Sequence, residues 1–172
     1  GFEESYGCLV GTHARDKDAI TAVMLLCEAA AYYKKQGLTL WDQMMNIYNK
    51  YGFYKEGIST ITLKGADGAI KMKELLDSIR NNPPKELGGY KVTRVRDYKT
   101  EVIVDTKTGK ESETGLPTSN VLYYDLQDDA WCCVRPSGTE PKIKFYMGVK
   151  ESSMENAEKE LENLKTAMLS LC

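Results

Sequence analysis

No apolar run in this chain approaches the roughly 20 residues a helix needs to cross a bilayer, and no charged-then-apolar leader stands at its start. The expectation is a soluble protein with no membrane partner. An excess of charge of either sign is also missing. Lys and Arg number 23 against 25 Asp and Glu, a formal net charge of −2, which gives no chain-wide attraction to nucleic acid. The single histidine, His13, is in isolation more often an incidental polar residue than a catalyst. Five cysteines, Cys8, Cys27, Cys132, Cys133 and Cys172, are odd in number and lack any C-x-x-C spacing. They support neither a zinc site nor a disulfide framework, and reduced thiols in a cytoplasmic setting are expected. Internal repeats and low-complexity tracts are absent.

What is present is an ordinary globular balance, 172 residues at 42% hydrophobic and 28% charged, enough to bury a core. Ile20, Val23, Met24, Cys27 and Ala31 recur at helical spacing, with Asp18 as cap and Gly37 as stop, and predict an amphipathic helix. Thr39-Leu-Trp-Asp42 reads as a capping box opening a second helix that ends at Gly52. From Phe53 the pattern changes. Ile58 to Leu63 reads as a strand, and Ala69 to Ile79 as a helix that must stop before Pro83-Pro84. Tyr90 to Asp97 and Glu101 to Val104 alternate as strands. Lys107 to Pro117 is a polar loop, and Val121–Leu126 with Ala130–Val134 form a hairpin. Ile143, Phe145, Met147 and Val149 alternate along one more strand, and a helix capped by Ser152 or Ser153 carries Ala157, Leu161, Leu164, Met168 and Leu171 on one face.

The chemistry concentrates between two of these strands, in Arg135-Pro-Ser-Gly-Thr-Glu-Pro-Lys142. An arginine matches phosphate oxygens bidentately, Ser137 and Thr139 add hydroxyl donors, and Gly138 lets N–H groups turn toward an anion. Lys142 adds to the field. Prolines at 136 and 141 stiffen both ends. The octapeptide resembles the phosphate-binding loop in the last domain of the α-D-phosphohexomutases, the phosphoglucomutase and phosphomannomutase superfamily. Gly1-Phe-Glu-Glu-Ser-Tyr-Gly7 is similar to the sugar-recognition loop of the third domain in the same family, and His13-Ala-Arg-Asp-Lys-Asp18 to the segment that follows it.

The resemblance implies an α+β fold. Residues 1–53 would be the helical remnant of an α/β third domain. Residues 54–172 would form a C-terminal phosphate-binding domain with a mixed or antiparallel sheet packed by helices, similar to the TATA-box-binding-protein fold. It also implies roles. Glu3, Glu4 and Ser5 would hold sugar hydroxyls, and His13, Arg15 and Lys17 would make secondary substrate contacts. Arg135, Ser137, Gly138, Thr139 and Lys142 would grip the phosphate that is not reacting. The implied activity of the whole enzyme is an intramolecular phosphotransfer that interconverts glucose 1-phosphate and glucose 6-phosphate or mannose phosphates, with Mg2+ and a sugar bisphosphate activator.

The family's phosphorylated serine loop and its Asp-Gly-Asp-Gly-Asp metal loop occur nowhere in this sequence, whose one Asp-Gly is Asp67-Gly68. No catalytic or metal-binding residue is therefore expected here, and the chain, opening at Gly1 inside a functional loop, reads as the C-terminal part of a mutase that binds without turning over. Its partners would be the phosphosugar and the missing N-terminal domains. Self-association through the orphaned helix faces (Val23, Met24, Cys27, Trp41, Met45) is a further expectation. The insertion of Phe2, giving Gly-Phe-Glu-Glu, resembles a branch with phosphopentomutases and sugar-bisphosphate synthases. A non-catalytic module that binds a phosphorylated partner is the competing class.

Overall fold

Capping decides where the first two helices begin. In the computed structural model, which describes residues 1–3, 6–63, 67–138 and 140–171, the Asp18 carboxylate accepts from the N–H of Ile20 at 3.0 Å and of Thr21 at 3.4 Å. It thereby starts α1 (Ala19–Lys34). Gly37, at φ 75°, turns the chain after it. Before α2 (Leu40–Tyr51), the Thr39 N–H donates to the Asp42 carboxylate at 2.8 Å while the Asp42 N–H donates to the Thr39 hydroxyl at 3.1 Å. This is a capping box with Asp in the usual place of Glu.

Two units result, Gly1–Tyr51 and Gly52–Cys172. In the first, α1 and α2 touch each other, yet neither contains a buried residue. The expected amphipathic character of α1 is not what its surroundings show. Leu25 and Leu26 are exposed alongside Ile20, Val23 and Met24, so apolar side chains meet solvent on several sides of the helix.

The second unit is built on one antiparallel sheet. Its strands are β1 (Phe53–Thr62), β2 (Glu86–Leu87), β3 (Tyr90–Asp97), β4 (Val102–Asp105), β5 (Glu111–Glu113), β6 (Leu122–Leu126), β7 (Trp131–Pro136) and β8 (Lys142–Glu151). They run in the order β1-β8-β7-β6-β3-β4-β5, with β2 beside β3. Alternation sorts the faces. Ile143, Phe145 and Met147 of β8, Cys132 and Val134 of β7, and Tyr124 of β6 are fully buried. The intervening Arg135 and Lys144 are exposed, and Cys133 and Tyr146 half-buried. Two helices cover the buried face. α4 (Met154–Leu169), capped by the Ser153 hydroxyl accepting from the Asn156 N–H at 3.2 Å, lays Ala157, Leu164 and Met168 against β8 and β1. α3 (Gly68–Asn81) presents Leu76 and Ile79, and its Arg80 donates to Asp97, whose strand partner is the buried Leu122. The opposite face carries no helix of this unit.

Two glycines mark close approaches. At Gly88 (φ 58°) a Cβ would lie 2.8 Å from the Leu164 Cα, so α4 rests on bare backbone there. At Gly148 a Cβ would fall 2.3 Å from Trp131 Nε1, because the indole lies across that residue on the open face.

Several boundaries differ from the sequence reading. β1 begins at Phe53, five residues earlier than the apolar alternation indicated, because it pairs along its whole length with β8. The polar stretch 107–117 contains β5, which pairs with β4. Glu111-Ser112-Glu113 has no apolar residue to announce a strand, and the neighbouring ladder alone extends it. The two-residue β2 and a 3-10 turn at Gln127–Asp129 joining β6 to β7 are equally silent in composition.

Candidate functional site

The first unit folds its N-terminal loop back on itself. The Glu3 N–H donates to Gly7 O at 2.8 Å, the Leu9 N–H to Gly1 O at 2.8 Å, and the Asp18 N–H to Cys8 O at 3.0 Å. This closure opens a cavity of about 280 Å³ lined by Gly1, Phe2, Glu3, Arg15, Asp16 and Lys17 among others. Lys17 Nζ sits 3.5 Å from Glu3 and 3.0 Å from Asp16, and those carboxylates, Asp16 first, push the Lys17 pKa up. The cavity therefore offers acceptors and cations side by side, the pairing a polyhydroxylated anion needs. Of the expected sugar contacts, Glu3, Arg15 and Lys17 come together here. Glu4 and Ser5 lie outside the described residues.

His13 goes elsewhere. Its Nε2 stands 3.2 Å from Asp18 Oδ2 and 3.3 Å from Thr21 Oγ1, while the Thr21 hydroxyl also donates to Asp18. Thr21 and then His13 hold the Asp18 carboxyl at a pKa of about 2. In this structure the histidine buttresses the helix cap, and it does not line the cavity.

In the second unit the loop after β7 is tied at both ends. The Ser137 N–H donates to Lys142 O at 2.8 Å, and the Leu63 N–H to Pro141 O at 2.9 Å. Arg135 and Lys144 are directly opposed in the β7–β8 register, so both side chains leave the open face at the rim of the loop. Among the described residues neither has a carboxylate partner. Lys142, by contrast, is paired with Glu140 at 3.0 Å. Gly138 does not adopt a left-handed φ, and no atom stands within 4 Å of where its Cβ would be. Its contribution is open space beside the loop, and not the anion-turning conformation inferred from its type. Thr139 lies outside the described residues.

Motif reading leaves Lys144 as a solvated strand residue. It lies just beyond the motif, and only the strand register reveals that it faces Arg135. Cys133, next on the same face, is no nucleophile. Burial raises its thiol pKa to about 11 despite the Arg135 charge, which lowers it.

Farther along the open face, Arg96 lies 5.3 Å over the Tyr123 ring, and Tyr123 stacks on Trp131 at 5.5 Å. Arg96 and Arg94 both bind Asp125, at 2.6 and 3.1 Å. Composition gave no hint of this gathering of aromatic and basic groups. The rings stack on one another and the cations share a carboxylate, so the cluster spends its stacking and its charge internally. Among the described residues no three His, Cys, Asp or Glu side chains gather to hold a metal ion. No helix there is long and apolar enough to cross a membrane.

Comparison with known proteins bears on both units. Residues 1–51 match the α/β/α domain III of phosphoglucomutase/phosphomannomutase, and residues 88–165 match its C-terminal domain. Phosphoglucomutases of Staphylococcus aureus strains MRSA252 and COL are each 39% identical over 149 residues, covering 87% of this chain and 27% of their own length. The chain thus spans about a quarter of those relatives. A crystal structure of the exocytosis-sensitive phosphoprotein parafusin, a phosphoglucomutase from Paramecium in its open form, is similar in fold with a TM-score of 0.64 at 21% identity, over 98% of this chain and 29% of its own. With the two domain matches in chain order covering most of its length, the chain belongs to the phosphoglucomutase/phosphomannomutase family, of which it carries sequence from the third and the C-terminal domain.

Proposed function

We infer that this chain is the substrate-recognition part of a phosphosugar mutase. Residues 1–53 hold sugar hydroxyls through Glu3, Glu4 and Ser5, with Arg15 and Lys17 behind them. Residues 54–172 grip the non-reacting phosphate through Arg135, Ser137, Gly138 and Thr139, with Lys142 in the field. The observation that carries this reading is the face-to-face placement of Arg135 and Lys144. Like charges directly opposed on one sheet face are destabilising, and no carboxylate among the described residues relieves this pair. An anion would. Lys144 accordingly joins Arg135 as a phosphate ligand, and a dianion fixed there orients the distant end of the sugar without touching it.

In the whole enzyme we propose reversible transfer of phosphate between the anomeric and terminal oxygens of glucose, in the cytoplasm, with a phosphorylated serine, magnesium and a sugar bisphosphate supplied through other domains. The described residues do not fit a magnesium ion. On this reading the chain alone shows no turnover in a coupled mutase assay. The exposed apolar residues of α1 and α2 are surfaces that other domains cover. Light scattering should show this chain associating and a variant beginning at Tyr54 remaining monomeric. A specific observation favours a second sugar: Phe2, inserted in the recognition loop, lines the cavity and is 91% exposed at its mouth, so a pentose phosphate belongs among the ligands tried.

Titration with glucose 6-phosphate tests the reading. Loss of a charge-assisted bidentate contact costs about 1.5–3 kcal/mol, so Arg135→Ala should weaken binding at least roughly tenfold. Lys144→Ala should weaken it less. Unchanged affinity in Arg135→Ala would remove the assignment.

A further inference from the structure

Behind the loop, on the side of α3, lies a second and separate concentration of positive charge. A cleft of about 220 Å³ is bounded by Ser137 and Gly138 on one side and by Lys73, Asp77 and Arg80 of α3 on the other, with Lys99 and Asn120 closing it. Arg135, Lys142 and Lys144 are not part of its wall. Three cations converge on the single carboxylate of Asp77: Lys73 at 3.0 Å, Arg80 at 3.5 Å and Lys99 at 3.8 Å. The second nearby carboxylate, Asp97, is buried and committed, receiving Arg80 Nε at 2.9 Å and the Lys99 N–H at 3.0 Å.

Three cations against two carboxylates leave one surplus positive charge. The surplus is not evenly shared. Arg80 is 13% exposed and donates to Asp97, Asp77 and Asn120. Lys73, though hydrogen-bonded to Asp77, is 77% exposed, and Lys99, about half exposed, stands at ion-pair range of Asp77 without a hydrogen bond. Two solvent-exposed ammonium groups thus stand at a cleft that also holds the largely buried Arg80. Lysines of this kind act as adjustable point charges toward a compact oxyanion. Apart from its own chain neighbours, Gly138 has no atom within 4 Å of where a Cβ would sit, so the loop is open at that point.

We propose that this cleft is a second anion site, for a phosphate-class oxyanion held by Lys73 and Lys99 on the helix side of the loop. It is distinct from the substrate phosphate site at Arg135. It recognises phosphoryl oxygens rather than a sugar, because cations outnumber carboxylates around it and the one carboxylate in its wall, Asp77, is already engaged by Lys73, Arg80 and Lys99. Since Ser137 and Gly138 form its other wall, an ion bound there touches the backbone that carries the substrate grip, and the two sites are coupled through one loop.

The test is an amide-resolved NMR titration of the chain with inorganic phosphate at fixed ionic strength, repeated with Arg135→Ala and with a Lys73→Ala/Lys99→Ala double variant. Shifts at Leu76, Asp77 and Asn120 should persist in Arg135→Ala with little change in midpoint. They should weaken at least roughly tenfold in the double variant, each charge-assisted contact being worth about that factor, and Lys73→Arg/Lys99→Arg should restore them. Glucose 6-phosphate should move the same three amides with a midpoint similar to that of inorganic phosphate. The proposal is overturned if those amides do not respond to phosphate, if their response disappears in Arg135→Ala, or if only the sugar phosphate elicits it. Failure of the substrate-site reading looks different: an absent response at Arg135 and Lys144, which lie outside the cleft wall, while Asp77 and Asn120 still shift.

Discussion

The two units of this chain hold themselves together in opposite ways. In Gly1–Tyr51 the order is local. Asp18 caps α1, Thr39 and Asp42 cap α2, and the N-terminal loop closes on its own backbone. Not one residue of either helix is buried. In Gly52–Cys172 the order is long-range, with β1 pairing β8 some ninety positions away and Tyr124, Val134, Ile143, Phe145 and Leu164 at 0% exposure. Caps contribute about 1 kcal/mol each and large buried side chains several times that. The first unit therefore depends on what covers it, and the second carries its own core.

That contrast can be broken by removing core from one side only. Phe145→Ala, fully buried at the centre of β8, should cost about 3–5 kcal/mol, read as a lower midpoint in denaturant. Hydrogen exchange of 19–51 should stay as it was. A matching change in both regions would mean that the units fold as one.

Smaller effects sharpen it from the other side. Thr39→Ala removes the hydroxyl half of the α2 capping box, leaving the backbone N–H at position 39 to donate to Asp42, and should cost that helix about 1 kcal/mol, visible as faster exchange at its first turn with no shift in the main unfolding transition of the sheet. Smaller still is the acid response of α1. The Asp18 carboxyl is held at about 2, below its ordinary value of 3.8, by Thr21 and then His13. A depressed carboxylate pKa contributes stability above the unfolded value, lost as pH falls from near 3.8 through about 2. Following the Asp18 carboxyl carbon by NMR should give a midpoint near 2, and Thr21→Val should raise it. A midpoint at the ordinary value would remove the cap from the account.

How much could be read beforehand follows the same divide. The caps at Asp18 and Thr39, the last cap to within one residue at Ser152 or Ser153, and the alternation in β8 were legible, because each is a pattern within a few residues. The start of β1, the whole of β5 and the two-residue β2 were not, because pairing with a distant strand makes them and their own composition does not. His13 shows the limit of reading site residues by neighbourhood. It sits in the right segment, yet its hydrogen bonds turn it to Asp18 and Thr21 and away from the cavity that gathers Glu3, Arg15 and Lys17.

The sequence by itself determined the family and the order of the helices and longer strands, since residue type and short spacing encode caps, turns and alternation directly. Only the tertiary structure decided which cations are available to an anion. Lys142, inside the motif, is neutralised by Glu140 within its own loop. Lys144, outside it, is brought opposite Arg135 by the β7–β8 register, and Lys73 and Lys99 meet over Asp77 because α3 packs beside the end of β3. Charge depends on distance, and distances between residues far apart in the chain exist only once the sheet has formed.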